Sequence, residues 1–307
     1  MATQVVGILI THWHSDHIRG AFALFQECQN AKLYHSCALS SNEALHLAAM
    51  YKKDVFAETD KNIREFVDIV QYLFKTKDRD RLDPVKAKHT FFDHRSGPQT
   101  RMIALSPSNT AVTQAISKLV ESKPTDGSGR VKNVVPESEN LNAVAIHFTF
   151  GEFSAVLGSD LEETGNMQTG WSAVFQSGIV GDLSLSTSSL YKVAHHGSET
   201  GHHEKIWSDL LAENPISITT PYTRSGLPAP DNINRVTALS SEFLVSRDPN
   251  SGKKIKRDSM VDREMRAIVK ARKSVNDKMG HIQIRVSCKG KMSIAANENC
   301  VRYNSPM

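Results

Sequence analysis

Histidines are clustered at two distant points of this sequence. The chain has 13 histidines. The first cluster also holds an aspartate, and its members are His12, His14, Asp16 and His17. The second cluster contains the adjacent pair His195 and His196. Imidazole and carboxylate ligands together suit zinc, manganese or iron better than calcium. The two clusters therefore predict one metal site assembled from two ends of a fold, and the four side chains of the first cluster could hold two ions.

Short apolar segments precede these polar residues and predict the strands that position them. Residues 5–10 form a β-branched, apolar run that ends just before the first cluster. A similar run at 155–157 leads to Asp160, and a third at 190–194 leads to His195. Such runs are typical of strands buried on both faces. Open α/β sheets bind ligands at the carboxyl ends of their strands, so this pattern favours a site at one sheet edge.

The H-x-H-x-D-H string at residues 12–17 resembles the pattern of the metallo-β-lactamase fold superfamily. The strands that lead to Asp160 and His195 match that superfamily in order, type and spacing. Within it, the chain most resembles the metallo-β-lactamase domain of the ComEC family of DNA-uptake channel proteins. The matching strings lie at residues 11–17, 105–107, 140–142, 159–160 and 192–198, with a weaker one at 280–284.

This resemblance implies an αββα sandwich, which alternating strands and helices also favour. We expect a single hydrolase domain over residues 1–307, with a helical insertion at about 42–122 and a basic C-terminal segment at about 250–279. An amphipathic helix is predicted around residues 63–74 and another over 42–51, and Asn109 and Thr110 can cap a helix over 111–120. Residues 124–140 are predicted to be a loop beside the site.

The resemblance also implies a ligand set and roles for its members. The expected metal ligands are His12, His14, Asp16, His17, Asp160 and His195, with His196 as the alternative to His195. They would hold two divalent transition-metal ions, Zn or Mn. Asp160 would bridge the ions, which share a hydroxide, and Asp16 would orient this nucleophile, so these two carboxylates are the expected catalytic residues. The expected supporting or substrate-contacting residues are Asn140, Asn142, His196 and Ser198.

The sequence departs from the superfamily pattern in several places, among them Arg19 and Ser159, which each stand where the family tends to have glycine. Only eleven residues precede His12, where the superfamily usually has a pair of strands. We therefore expect a sheet without its usual N-terminal strands, covered by a protein partner or a homodimer. Asn140 and Asn142 stand where the superfamily has its middle histidine, and His147 is expected to pack within a strand, so the first metal site would be weak. Leu227 replaces a histidine in the family's G-H-P string.

Composition limits the classes of protein to which the chain could belong. With 307 residues, 39% of them hydrophobic, the chain is long enough for a sizeable core and is not disordered. Its four cysteines are spaced unlike a redox or zinc motif, so a disulfide scaffold is not expected. The start lacks a signal-peptide pattern and no apolar stretch is long enough to span a membrane, which predicts a cytoplasmic protein with no membrane partner.

The predicted function is hydrolysis by a metal-bridged hydroxide. Because of the ComEC resemblance, the expected substrate is a phosphodiester, above all DNA or RNA. Ten basic residues against four acidic ones between 253 and 278 fit either a phosphate-tracking patch or a solvated helix face. One alternative is hydrolysis of a lactone, lactam or thioester, since the same nucleophile serves many reactions. The other is a degenerate, non-catalytic subunit of a complex.

Overall fold

A computed structural model of the chain describes residues 4–39, 61–121, 139–250, 258–268 and 280–305. The α-helices in these ranges are α1 (Ser15–Ile18), α2 (Ala21–Glu27), α3 (Lys61–Thr76), α4 (Asn109–Glu121), α5 (Gly170–Gln176), α6 (Ile179–Asp182), α7 (Pro230–Ala238) and α8 (Ser259–Ile268). The β-strands are β1 (Gly7–Ile10), β2 (Lys32–Ser36), β3 (Leu82–Val85), β4 (Thr90–His94), β5 (Thr100–Ala104), β6 (Ile146–Phe150), β7 (Phe153–Leu157), β8 (Ser188–Lys192), β9 (Leu211–Thr219), β10 (Glu242–Val245), β11 (Ile282–Val286), β12 (Met292–Ala296) and β13 (Val301–Asn304).

The strands form two main sheets and a hairpin. The smaller sheet has the order β1-β2-β3, and its strands are parallel. The larger sheet has the order β13-β10-β9-β8-β7-β6-β5-β4. Strands β7 to β10 are parallel to one another, whereas the strands on both sides of them are antiparallel. β11 and β12 form a separate antiparallel pair.

Apolar side chains on alternate faces arrange these sheets in four layers. Phe25 of α2 and Phe66 of α3 pack with Leu33 on the outer face of the smaller sheet. Its inner face packs on the larger sheet through Val85 and Ile146. The opposite face of the larger sheet is covered by three helices, whose buried contacts are Trp171 and Val174 of α5, Ile179 of α6 and Val236 of α7. The order helix, sheet, sheet, helix confirms the predicted αββα sandwich.

The β11–β12 hairpin covers a further part of the larger sheet. Ile284 and Met292 of the hairpin pack on Ala155 and Leu190. Ala155 alternates with Val156, which faces the helices, so the hairpin lies on the same side as the smaller sheet. The weaker matching string at 280–284 overlaps β11, which belongs to this hairpin rather than to the larger sheet.

Two local expectations need correction. The helical interpretation of residues 42–122 is wrong for residues 82–104, which form β3, β4 and β5. β4 and β5 pair antiparallel across a Gly-Pro turn and form a hairpin there instead. The cap of α4 is Ser108 rather than Asn109 or Thr110, because Ala111 N donates to Ser108 Oγ at 3.1 Å. The helix predicted around residues 63–74 is confirmed as α3.

Several predicted segments lie outside the described residues. They are the helix at 42–51, most of the loop at 124–140 and most of the basic segment at 250–279. All four cysteines lie within the described ranges, where none forms a disulfide. No helix in the described ranges combines the length and apolar character needed to cross a membrane.

A buried histidine in β2 predicts a pH-dependent stability. Burial lowers the pKa of His35 to about 4, although its Nδ1 donates to Ser36 O. Between about pH 6.5 and about pH 4, His35 is protonated in the unfolded chain but stays neutral in the folded chain. The stability present above pH 6.5 is therefore lost as the pH falls toward 4. In chelator-treated protein, we expect His35 to account for about 2 kcal/mol of the fall in unfolding free energy between about pH 7 and about pH 4.5.

Urea unfolding of the wild type and His35→Gln at both pH values measures this contribution. The His35→Gln variant keeps a donor for Ser36 O but does not titrate, so its stability should fall less over the same interval. His94→Gln, at an exposed position, serves as the matched control and should follow the wild type. Identical pH dependence of wild type and His35→Gln would contradict the assignment.

Candidate metal centre

Polar side chains from both sheets meet where β1, β7 and β8 end. His12 and His14 follow β1, and Asp16 and His17 lie in α1. Asp160 lies three residues beyond the end of β7, and His196 lies four beyond the end of β8. Because β7 and β8 are parallel, both loops leave the larger sheet at the same edge.

These six side chains form two groups of potential metal ligands. One group consists of His12, His14 and Asp160, and the other of Asp16, His17, Asp160 and His196. Within each group, the ligand atoms all lie within 4.8 Å of one another. Asp160 belongs to both groups, so the structure places a carboxylate between two adjacent sites.

The spacing within the first group is compatible with one ion. His12 Nε2 lies 3.1 Å from His14 Nδ1 and 3.7 Å from Asp160 Oδ2. His12 and Asp160 are almost completely buried. Three protein ligands from the described residues meet here, one fewer than in the second group.

The second group is more compact. His196 Nε2 lies 3.0 Å from Asp16 Oδ2 and 3.4 Å from Asp160 Oδ2. His17 Nε2 lies 3.4 Å and 3.2 Å from the same two oxygens. Ligands bound to zinc at about 2.0–2.1 Å in a tetrahedron are roughly 3.3–3.4 Å apart. The donor set and its spacing therefore fit a divalent transition-metal ion.

Protonated His17 and His196 balance the negative charges of the two carboxylates in the metal-free protein. Burial lowers the pKa of His17 and of His196, but contacts with Asp16 and Asp160 outweigh burial and raise both values to about 9. Burial alone would raise the pKa of the two carboxyl groups, yet the same histidines hold both well below the usual range. A divalent cation would take the place of these protons.

The pKa of His12 shifts in the opposite direction, below its ordinary value. Burial and the nearby His17 and His14 keep its pKa well below the ordinary value, despite the attraction of Asp160. A neutral imidazole is the form that binds metal ions. The first group therefore contains a ligand that needs no deprotonation.

A strained turn determines which histidine of the adjacent pair faces the other ligands. The turn Ala194–Gly197 has φ of 45° at His195 and 53° at His196, both in the left-handed region. His196 Nδ1 donates to Thr220 O at 2.9 Å, which leaves Nε2 to face Asp16. Such a carbonyl partner fixes the ring orientation of a metal-binding histidine.

His195 lies in neither ligand group. Its Nδ1 is 2.9 Å from Glu162 Oε1 and 2.9 Å from Ser198 Oγ. Asn140 Nδ2 donates to the same Glu162 oxygen at 3.2 Å and lies 3.3 Å from His195 Nε2. The predicted supporting residues Asn140 and Ser198 therefore surround His195, whereas His196, predicted as its alternative, belongs to the second group of potential ligands.

Two other polar residues from the sequence analysis are placed away from the ligands. His147 is buried in β6 and donates from Nε2 to Ser186 O at 2.8 Å, as expected for a histidine packed in a strand. Asn142 is buried, and its Oδ1 has no hydrogen-bond partner among the described residues. Neither residue belongs to a ligand group.

Hydrogen bonds hold the Asp160 loop in place. Trp171, which is fully buried, donates from Nε1 to Leu161 O at 2.9 Å. His195 N donates to Ser159 O at 2.9 Å, which ties the loops after β7 and β8 together. Asp160 is therefore fixed from both sides.

Three further residues contribute to this region and were not predicted from the sequence: Glu162, Thr220 and Tyr222. Glu162 follows Asp160 by two residues, so a second carboxylate beyond the same strand was the available signal. Thr220 accepts from His196 through its carbonyl oxygen at 2.9 Å, with its Oγ1 3.4 Å from the same ring nitrogen, and a backbone contact leaves no pattern in residue types. The Tyr222 ring stacks on His196 with centroids 5.2 Å apart.

A comparison with known protein families supports the part of this site that the first histidine cluster forms. The model of the metallo-beta-lactamase superfamily matches residues 1–99 of the 307, which include the first histidine cluster. A search of the curated proteins gave no match. The fold, the His/Asp ligand groups and this partial match together indicate a metal-dependent hydrolase.

Proposed function

We propose that the protein is a metal-dependent phosphodiesterase that acts on DNA or RNA. The observation that carries the proposal is the pair of ligand groups joined by Asp160. Two adjacent divalent cations activate water and neutralise the charge that develops on a phosphodiester. The ComEC-like strings in the sequence favour nucleic acid as the source of that phosphodiester.

The residues of the two groups would have different roles in binding the cations and orienting water. His12, His14 and Asp160 would hold one cation, which would supply Lewis-acid chemistry for water or substrate. Asp16, His17 and His196 complete the other group. Asp16 is the less buried of the two carboxylates and is accessible to orient the attacking water.

Cationic side chains near the centre favour an anionic substrate. Arg19 is exposed two residues beyond His17, and Arg224 is exposed on the turn that carries Tyr222. Neither forms a salt bridge within the described parts of the chain. Free guanidinium groups are suited to bind phosphate oxygens.

Activity and metal content of the wild-type protein test the proposal. The protein is loaded with Zn²⁺ or Mn²⁺, dialysed, and assayed on single-stranded DNA, RNA and bis-nitrophenyl phosphate, with a lactone and a thioester as competing substrate classes. We expect two ions per chain, one for each ligand group. Hydrolysis of phosphodiesters should fall at least about a hundredfold in chelator-treated protein.

Each remaining outcome contradicts one part of the proposal. Full metal loading with preferential hydrolysis of the lactone or thioester would overturn the substrate class. Fewer than one ion per chain, with no hydrolysis, would indicate a non-catalytic subunit.

A further inference from the structure

A tight turn flanks the metal centre at residues 221–228. Tyr222 N donates to Leu227 O at 2.9 Å, and Leu227 N donates to Tyr222 O at 3.1 Å. Pro228 at the end of the turn is buried beside Gly197 of the turn that carries His196. Tyr222 is therefore held at a defined position next to a metal-ligand loop.

One face of the Tyr222 ring lies against His196. The two rings are nearly parallel, with an angle of 22° and a centroid separation of 5.2 Å. The edge of His196 carries Nε2, which faces Asp16. The tyrosine thus lies next to the ligands without being one of them.

Packing within the protein does not account for Tyr222. The side chain is partly exposed and is not part of the described hydrophobic core clusters. Its hydroxyl forms no hydrogen bond with the described residues. The ring thus offers planar apolar surface beside the site.

Arg224 adds a positive charge at the tip of the same turn. Its side chain is exposed. The described part of the chain contains no salt-bridge partner for it. A planar ring and a free guanidinium two residues apart match the two chemical parts of a nucleotide, its base and its phosphate.

We infer that residues 221–228 form a nucleotide-binding subsite, in which Tyr222 stacks on the base next to the scissile phosphodiester and Arg224 binds a neighbouring phosphate. This inference rests on the proposed function and specifies its substrate as a polynucleotide with bases. Stacking on an aromatic side chain tolerates any base, so the subsite favours single-stranded substrates without fixing a sequence.

Two oligodeoxynucleotides of equal length test the stacking contact. One carries thymine bases and the other carries abasic residues with the same phosphodiesters. Tyr222→Leu should lower the ratio of kcat/KM for the thymine oligonucleotide to that for the abasic one by about tenfold, mainly through KM. Tyr222→Phe keeps the ring and should keep the wild-type ratio.

Metal content is measured for each variant, because Tyr222 also contacts His196. Equal losses on both oligonucleotides would mean that Tyr222 only supports the metal ligand, and would overturn the inference. An unchanged ratio in Tyr222→Leu would overturn it as well.

A binding measurement tests this inference independently of the proposed function. If the metal-loaded wild type hydrolyses neither oligonucleotide and is also inactive on RNA and on bis-nitrophenyl phosphate, the proposed function fails. Fluorescence anisotropy in chelator then still tests the subsite, because Tyr222→Leu should weaken binding of the thymine oligonucleotide about tenfold relative to the abasic one. Equal affinities for the two oligonucleotides in the wild type would overturn the subsite.

The salt dependence of the same binding tests Arg224. Arg224→Gln should reduce the slope of log affinity against log salt by about one. Arg285→Gln is the matched control, since Arg285 is an exposed arginine on β11. It should retain the wild-type slope, and an unchanged slope in Arg224→Gln would remove this arginine from the subsite.

Discussion

Replacing Asp160 with asparagine should empty both metal sites and abolish hydrolysis. The neutral amide is a poor ligand, and Asp160 is the one residue shared by the two groups. Its loss leaves two histidines in the first group and removes from the second the buried carboxylate that contacts both His17 and His196. We expect fewer than one ion per chain after dialysis. The resulting fall in kcat/KM should exceed about a hundredfold, the upper range for losing only an outer partner of a ligand.

Mass spectrometry of bound metal and the hydrolysis assay measure the two effects in one preparation. Asp182→Asn is the matched control, because Asp182 is exposed and pairs with Lys88 away from the ligands. It should keep two ions and wild-type activity. Hydrolysis that survives Asp160→Asn at full rate would exclude this centre as the active site.

Alanine at His196 and at His195 should have different effects, although the residues are adjacent. His196→Ala removes a nitrogen that lies 3.0 Å from Asp16 and 3.4 Å from Asp160. The second group then loses one of its four ligands, and we expect its ion to be lost together with at least about a hundredfold of kcat/KM. His195→Ala should retain both ions.

The pair of variants provides its own control, since both remove an imidazole from the same turn. Circular dichroism and unfolding midpoints check that both variants fold. Loss of metal in His195→Ala with retention in His196→Ala would reverse the assignment that the geometry supports. Loss in both would indicate that the turn itself, rather than one side chain, holds the ion.

The first ligand cluster was predictable because its members are contiguous. His12 to His17 come directly after one apolar strand, so a single segment brings four ligand side chains together. Asp160 was also recognisable as a polar residue beyond an apolar strand. The αββα layers were also predictable, because strands and amphipathic helices such as α3 alternate along the chain and each must bury one face.

The choice between His195 and His196 could not be made from the sequence. A strand ending before the pair gives each residue a similar distance from the sheet edge, and side-chain direction depends on the backbone beyond it. Here both residues adopt positive φ, which non-glycine residues rarely do. The turn directs His196 toward Asp16 and His195 toward Glu162.

Residues 82–104 show a different limit of predicting structure from sequence. Residues 91–92 are a pair of phenylalanines, and residues 102–104 are apolar, but neither run is long enough to distinguish a strand from a helix by periodicity. Pairing with β6 in the larger sheet determines the outcome. Such pairing joins residues more than forty positions apart and is invisible locally.

The origin of the ligands in two different sheets has a thermodynamic consequence. His12 and His14 leave the smaller sheet, whereas Asp160 and His196 leave the larger one, so an ion held by either group would act as a cross-link between the two halves of the sandwich. An ion that binds only the folded chain raises its stability by RT ln(1 + [M]/Kd), about 2.7 kcal/mol at a hundredfold excess over Kd. The melting temperature of this protein would then report the free concentration of its metal.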